Sequence, residues 1–220
     1  PGAPWGAAGF LAPAAAAAAL PEAQAAASAG ESALRRLSAD LQSLDTFQAE
    51  FVQTQEWAGM EPSAPYRGTL SLMRPNLFRI EYADPAGHLQ VSDGARVWTW
   101  IPENGEVLMA DLQKTGSAGG DLLRWVLNNS RAEPHLETVE LEGSPAEVLL
   151  LAPEEGLGVS GVRIWLRPGT TEIRQYEVVD SSGNRTLYRL TKIRRNPRLS
   201  PELFRFTPPS GVPVVEIGAP

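Results

Sequence analysis

The run from Tyr66 to Trp100 limits the fold more than any other stretch. It consists of short alternating segments cut by turn residues: Tyr66 to Met73, Arg74-Pro75-Asn76, Leu77 to Tyr82, Val91-Ser92-Asp93-Gly94, then Arg96 to Trp100. That punctuation is the pattern of consecutive antiparallel strands. Residues two apart share a face of a strand. Phe78, Ile80 and Tyr82 therefore line one face, against Arg79 and Glu81 on the other. Leu70 and Leu72 share a face, and so do Trp98 and Trp100. The expected product is a sheet with one apolar, aromatic side. That side reads either as ordinary core, the usual state of one face of an antiparallel sheet, or as the wall of an acyl-chain cavity.

The flanking sequence extends the same pattern. Thr46 to Trp57 alternates as a strand with Phe47, Ala49 and Phe51 on one face. Asn104-Gly105 predicts a hairpin turn, with Glu106 to Leu112 returning. Further strands are expected at Leu136–Leu141, Glu147–Leu151, Val162–Leu166, Ile173–Val179 and Thr186–Ile193. Ser200 to Leu203 reads as one helical turn, and Pro208-Pro209 bars a central strand after Phe206. Two helices are expected. Leu34, Leu37, Leu41 and Leu44 recur at helical spacing over Glu31 to Leu44, with Ser32 or Gly30 as the cap. Leu122, Leu123, Trp125, Val126 and Leu127 form a short helix apolar on nearly every side, after a Gly-rich loop. That loop lacks the Lys-Ser/Thr pair of a phosphate-binding loop, and Asp121 reads as an N-cap.

The formal charge of −7 argues against nucleic acid or an anionic membrane surface as partner. There is no cysteine, so neither a disulfide framework nor a cysteine zinc site can form. The chain is accordingly expected not to carry a lipid on an N-terminal cysteine of its own. Its two histidines, His88 and His135, have no ligand set at metal spacing. Ser160 in Gly158-Val159-Ser160-Gly161 lacks the final spacing of a nucleophile elbow and reads as a turn residue. No enzyme chemistry, cofactor or metal is expected. Arg194-Arg195 reads as a solvated strand edge. Residues 1–30 are Ala-rich, with three readings: a secretory-signal remnant ending near Ala23-Gln24-Ala25 or Ala25-Ala26-Ala27, a low-complexity tail, or a helix through Ala14 to Ala19.

Three segments resemble the LolA family of periplasmic lipoprotein carriers: Arg74-Pro75-Asn76-Leu77-Phe78; Val91-Ser92-Asp93-Gly94 with Trp98 four residues later; and Phe204 to Val212. The resemblance runs from about Glu31 to Val215. It implies an α+β, mostly β fold: an incomplete antiparallel β-barrel closed by a lid of short α-helices. Residues 1–30 would be a tail and 31–220 a single carrier domain. The function implied is a periplasmic chaperone that ferries lipoproteins from the inner to the outer membrane with their acyl chains in the cavity. A lipid- or lipoprotein-binding sensor, or a glycolipid carrier of the same fold, is the alternative. The partners implied are an inner-membrane ABC transporter of LolCDE type and a LolB-type outer-membrane acceptor, with the carrier a monomer.

On that resemblance the cavity wall is expected at Phe47, Phe51, Leu70, Leu72, Phe78, Ile80, Tyr82, Trp98 and Trp100. The lid is expected at Leu34, Leu37, Leu41, Leu122, Leu123, Trp125 and Val126. Arg74 shares strand parity with Leu70 and Leu72, so it is expected to point to the apolar side. An arginine there needs acceptors, and lid carbonyls are the expected ones, making Arg74 the lid control. The other reading of Arg74 is a rim residue capping a strand end.

Overall fold

The computed structural model describes residues 16–60, 63–112, 130–154 and 158–217. The α-helix α1 (Ala16–Gln42) leads into β1 (Thr46–Glu56), β2 (Tyr66–Met73), β3 (Leu77–Asp84), β4 (Ala86–Asp93), β5 (Arg96–Ile101) and β6 (Glu106–Asp111). After the segment 113–129 come β7 (Ser130–Leu141), β8 (Ser144–Pro153), β9 (Val159–Leu166), β10 (Ile173–Asp180), β11 (Arg185–Arg195) and β12 (Val214–Ile217). All twelve strands form one sheet, in the order β12-β6-β5-β4-β3-β2-β1-β11-β10-β9-β8-β7. The sheet is open, with β12 and β7 as its edges. Pairing is antiparallel throughout except for β12, which runs parallel to β6.

Local sequence explains most of these elements. In β1, Ala49, Phe51 and Gln53 are buried while Glu50 between them is exposed, the period of two that the alternation predicts. Glu142 and Gly143, both at positive φ, join Leu141 of β7 to Ser144 of β8 in two residues. Two left-handed residues in succession suit the strand twist of a tight hairpin. β12 went unpredicted. It has four residues, all exposed, and follows Pro213, whose carbonyl accepts from the Val107 N–H at 2.9 Å. As an edge strand it respects the bar that Pro208-Pro209 sets on a central one.

The helix differs from expectation at its start. It begins at Ala16 rather than Glu31, so Gly30 and Ser32 lie inside it and neither caps it. The upstream segment is mostly Ala, the residue with the best helix propensity, so a helix nucleated on the amphipathic part propagates back through it. At 27 residues it is also long, where a lid of short helices was expected. The second expected helix, with Leu122, Leu123, Trp125 and Val126, lies outside the described residues.

Register fixes which residues share a face. Phe47, Ala49 and Phe51 pair with Leu72, Leu70 and Gly68, which pair in turn with Phe78, Ile80 and Tyr82. Across the other flank, Phe51 pairs with Leu190, Tyr188 with Tyr176, Tyr176 with Ile164, and Ile164 with Leu149. This continuous surface is the inner face. α1 lies on it and buries Ala33, Leu34 and Leu37 among those side chains, with Leu37 fully enclosed. The outer face carries its own smaller core. The 3-10 turn Pro201–Phe204 packs on β3 and β4, burying Phe204 to 1% exposure.

Candidate functional site

The inner face and the helix upon it bring most of the expected cavity residues together. Leu70, Ile80 and Tyr82 pack against the α1 core, and Phe51 lies within it. Phe51 meets Tyr82 and Tyr188 edge-on at 5.4 and 6.1 Å between ring centres. Burial pushes both tyrosine hydroxyls above their ordinary values, so they remain neutral. Gly68 makes room for this cluster: a Cβ there would sit 2.7 Å from the Phe51 ring and 2.3 Å from the Glu81 carbonyl oxygen.

Phe78 sits in a separate pocket of side chains. It is 3% exposed, enclosed with Val97 and Ala110 and covered by Leu72, Ile80 and Leu112. It is a sealed core residue in this state, not open wall.

Trp98 and Trp100 are not on this face. Trp98 pairs with Val91, which pairs with Arg79, whereas Phe78 pairs with Ser92 and Ser92 with Val97. The two tryptophans therefore project outward. Trp98 meets Phe206 at 6.1 Å between rings, and Arg79 donates to the Leu203 carbonyl beside it. The C-terminal segment covers this surface, a long-range contact that strand parity alone does not report.

An open cleft of about 440 Å³ lies beside the C-terminal end of α1. Leu41 of the helix, Phe47 of β1 and Ile173, Leu190 and Ile193 of β10 and β11 supply its apolar lining. Its size falls in the range of small-ligand sites, roughly 300–1,000 Å³. Leu41 and Phe47 were expected here. Ile173, Leu190 and Ile193 were missed; Leu190 and Ile193 have opposite strand parity, and the irregularity at Lys192, which sits at positive φ, is what lets both line the cleft.

Polar links fasten α1 at the mouth of this cleft. Asp40, in the last turn of the helix, accepts from Arg195 Nη1 at 2.8 Å and also from Nη2. Thr171 Oγ1 donates to it at 2.8 Å from the β9–β10 turn. Arg194 and Arg195 are both exposed, as expected of a strand edge, and Arg195 is in addition half of an ion pair. A carboxylate at the C-terminal end of a helix faces the negative end of the dipole, so Asp40 depends on the arginine. The Arg195 hydrogen bond holds the Asp40 carboxyl below its usual value, against the opposing effect of burial. A depressed carboxyl contributes stability above its unfolded pKa and loses it as pH falls through the folded one. Asp40→Asn is therefore expected to lower the melting temperature by about 1–3 °C at neutral pH, the scale of a largely exposed pair. The gap to wild type should close below about pH 4, and thermal melts across pH check this.

Arg74 forms the second link. β2 ends at Met73, so strand parity no longer governs Arg74, and its side chain is exposed at the rim instead of pointing into the apolar side. Its Nη1 still donates to a helix carbonyl, that of Gln42, the last residue of α1. This satisfies one of the carbonyls that a helix end leaves unpaired. Its backbone N–H donates to Asp45 O at 2.9 Å, and Asp45 N–H donates to Asn196 Oδ1 at 2.8 Å. The link Ser43–Asp45 between α1 and β1 is thereby pinned on both sides.

A second cleft, of about 300 Å³, lies at the opposite end of β1 and β2. Gln53, Tyr66, Tyr82, His88, Gln90 and Thr99 line it, together with the apolar Leu89, Trp100 and Ile101. Sequence reading singled out only the aromatic residues there.

Among the described residues no group of His, Cys, Asp and Glu is placed to hold a metal ion, and no helix is long and apolar enough to cross a membrane. His88 Nε2 instead lies 2.8 Å from Glu103. Ser160 lies in β9, not in a turn as expected, and its Oγ donates to the carbonyls of Val179 and Asp180 of β10, where the register shifts.

Residues 42–207 match the family model described as outer membrane lipoprotein carrier protein LolA. The chain belongs to the LolA family. It is 31% identical over 178 residues to an outer-membrane lipoprotein carrier protein of Dechloromonas aromatica, covering 80% of this chain and 83% of that one. It is likewise 31% identical over 176 residues to the carrier protein of Neisseria meningitidis serogroup C, covering 78% and 81%. Among solved structures, an uncharacterized conserved protein from Thermus thermophilus shares the fold at a TM-score of 0.53 and 14% identity, covering 86% and 99%. The LolA match spans α1's last residue, the whole inner face through β11, and the turn that covers Trp98.

Proposed function

We propose that this LolA-family chain is a periplasmic carrier that holds lipoprotein acyl chains on its inner face and ferries them between the inner and outer membranes. The observation that carries this reading is a helix laid over an apolar sheet face and fastened by polar links beside an open 440 Å³ cleft. Each buried methylene of a chain is worth about 0.8 kcal/mol, so an empty apolar cavity would bind too tightly for later release. A helix that must be displaced on loading offsets part of that free energy. In this reading α1 is the lid, the pinned link Ser43–Asp45 is its pivot, and Arg74 and Asp40 hold it shut. Cargo would come from an ABC transporter of LolCDE type and pass to a LolB-type acceptor.

The test is release of newly made triacylated lipoprotein from spheroplasts carrying the matching transporter, with the purified protein added or withheld. A soluble carrier–lipoprotein complex supports the proposal; lipoprotein that stays on the membrane in both arms rejects it. Arg74→Leu is expected to load normally yet pass on cargo at least tenfold more slowly, because the closed state loses its bond to Gln42 and no longer competes with cargo. Delivery at the wild-type rate would remove Arg74 from the lid mechanism.

A further inference from the structure

The inner face is not uniformly apolar, and its polarity changes along the strand direction. At the end beside Arg74 the paired residues are Phe47, Leu72, Phe78, Ser92 and Val97, and Ser92 spends its hydroxyl on the Asn76 carbonyl at 2.7 Å. Four residues along β3 and β4 the face becomes Tyr82 and His88, and six along β1 and β2 it becomes Gln53 and Tyr66, with Gln90 and Thr99 between. At about 3.3 Å per residue, the two ends are roughly 13–20 Å apart. The 300 Å³ cleft opens at this polar end.

The side chains there are oriented by one another. Tyr82 donates its hydroxyl to Gln53 Oε1 at 3.0 Å, so the Gln53 carbonyl is engaged and its amide N–H groups are the donors left to the cleft that Gln53 lines. Gln53 is only 4% exposed, so this is an enclosed amide. Gln90 Nε2 donates to Thr99 Oγ1 at 3.3 Å. The Tyr66 ring stands edge-on to Tyr82 at 6.0 Å, and Tyr66 lines the same cleft. Among the described residues no Arg or Lys lines the cleft, and its imidazole is already paired with the Glu103 carboxylate. Amide and phenol donors without a cation suit carbonyl and hydroxyl oxygens that carry no net charge. A phosphate would find no counter-charge there and would face Glu103 nearby.

We infer that Gln53, Gln90 and Tyr66 form a subsite for the uncharged glyceryl-ester head of the acylated cargo, so that cargo lies with its ester carbonyls at this end and its chain ends toward Phe47 and Phe78. The inference rests on the carrier reading. It adds an orientation to the cargo and a selectivity against anionic phospholipid.

The test is competition for binding of a fluorescent fatty acid by the full chain, using three ligands of equal acyl length: an S-diacylglyceryl-cysteine peptide of zero net charge, phosphatidylglycerol, and a diacyl glycoside. The peptide is expected to bind about tenfold more tightly than phosphatidylglycerol, the equivalent of two or three net hydrogen bonds. Gln90→Leu should reduce that ratio to about two or three. Gln53→Leu should do the same, and Gln90→Leu keeps the test valid if loss of the Tyr82 bond unsettles the fold. An equal ratio in wild type, or a ratio that neither variant changes, overturns the subsite. A glycoside preferred over the peptide overturns the ester assignment in favour of a sugar head. If wild type binds none of the acylated ligands, the carrier reading itself fails, an outcome distinct from loss of selectivity.

Discussion

Phe78→Glu is expected to lose the fold, not merely the capacity to load lipid. Its ring is 3% exposed, and Val97, Ala110, Leu72, Ile80 and Leu112 around it supply no hydrogen-bond donor from their side chains. An ionised carboxylate there would be desolvated without a partner, and the alternative, protonation at neutral pH, costs free energy through the pKa rise it requires. Removing the ring alone costs about 3–5 kcal/mol, against a total stability of typically 5–15 kcal/mol. Urea unfolding should therefore show a midpoint far below wild type, or no cooperative transition. A stable Phe78→Glu protein would mean that the enclosure around Phe78 is not formed. Loss of loading in this variant would thus say little about cargo. Phe47→Glu is the discriminating substitution, because Phe47 is only half-buried and borders the open 440 Å³ cleft. It is expected to melt close to wild type and to release lipoprotein from spheroplasts at least tenfold less well.

Phe78 also shows where sequence reading stops. Alternation correctly grouped Phe78, Ile80 and Tyr82, and Phe47, Ala49 and Phe51, because a strand's own side chains obey a period of two. Alternation also grouped Trp98 with Trp100, and that too holds. Which face each group shares is a matter of register between strands, and there apolarity misled. Ser92, a polar residue, pairs with Phe78 on the inner face, while Trp98 pairs with Val91 on the outer one. The outer face is apolar because Phe204 and Phe206 return to cover it from over a hundred residues away. Likewise nothing local in Asp40 or Arg195 announces their pairing across 155 positions of sequence. The LolA-like segments gave the architecture and the arginine that reaches a helix carbonyl. The polar end of the inner face, built from glutamines that look like solvated strand residues, was invisible until register placed Gln53 and Gln90 with Tyr82.

Gly68→Ala should be the most damaging single-methyl addition on the inner face. Gly68 is ordinary extended backbone, so the cost is not conformational; it comes from space. Its position on β2 lies between Phe51 of β1 and Tyr82 of β3 by register. A methyl there would approach the Glu81 carbonyl oxygen to 2.3 Å and two atoms of the Phe51 ring to 2.7 and 2.9 Å. A side chain can yield; a ladder carbonyl cannot without bending β3. Overpacking of this kind costs about 1–3 kcal/mol, and the upper end is expected because backbone is involved. For a chain of this size that is a fall of about 4–10 °C in melting temperature. Phe51→Leu in the same protein removes one of the two clashes, so the double variant should be less destabilised than the sum of the single ones by about 1 kcal/mol. Full additivity would place the damage entirely at the Glu81 carbonyl. A Gly68→Ala protein as stable as wild type would show that β2 and β3 separate readily at this point. The aromatic cluster of Phe51, Tyr82 and Tyr188 would then be a yielding part of the wall, able to open for an acyl chain without help from the helix.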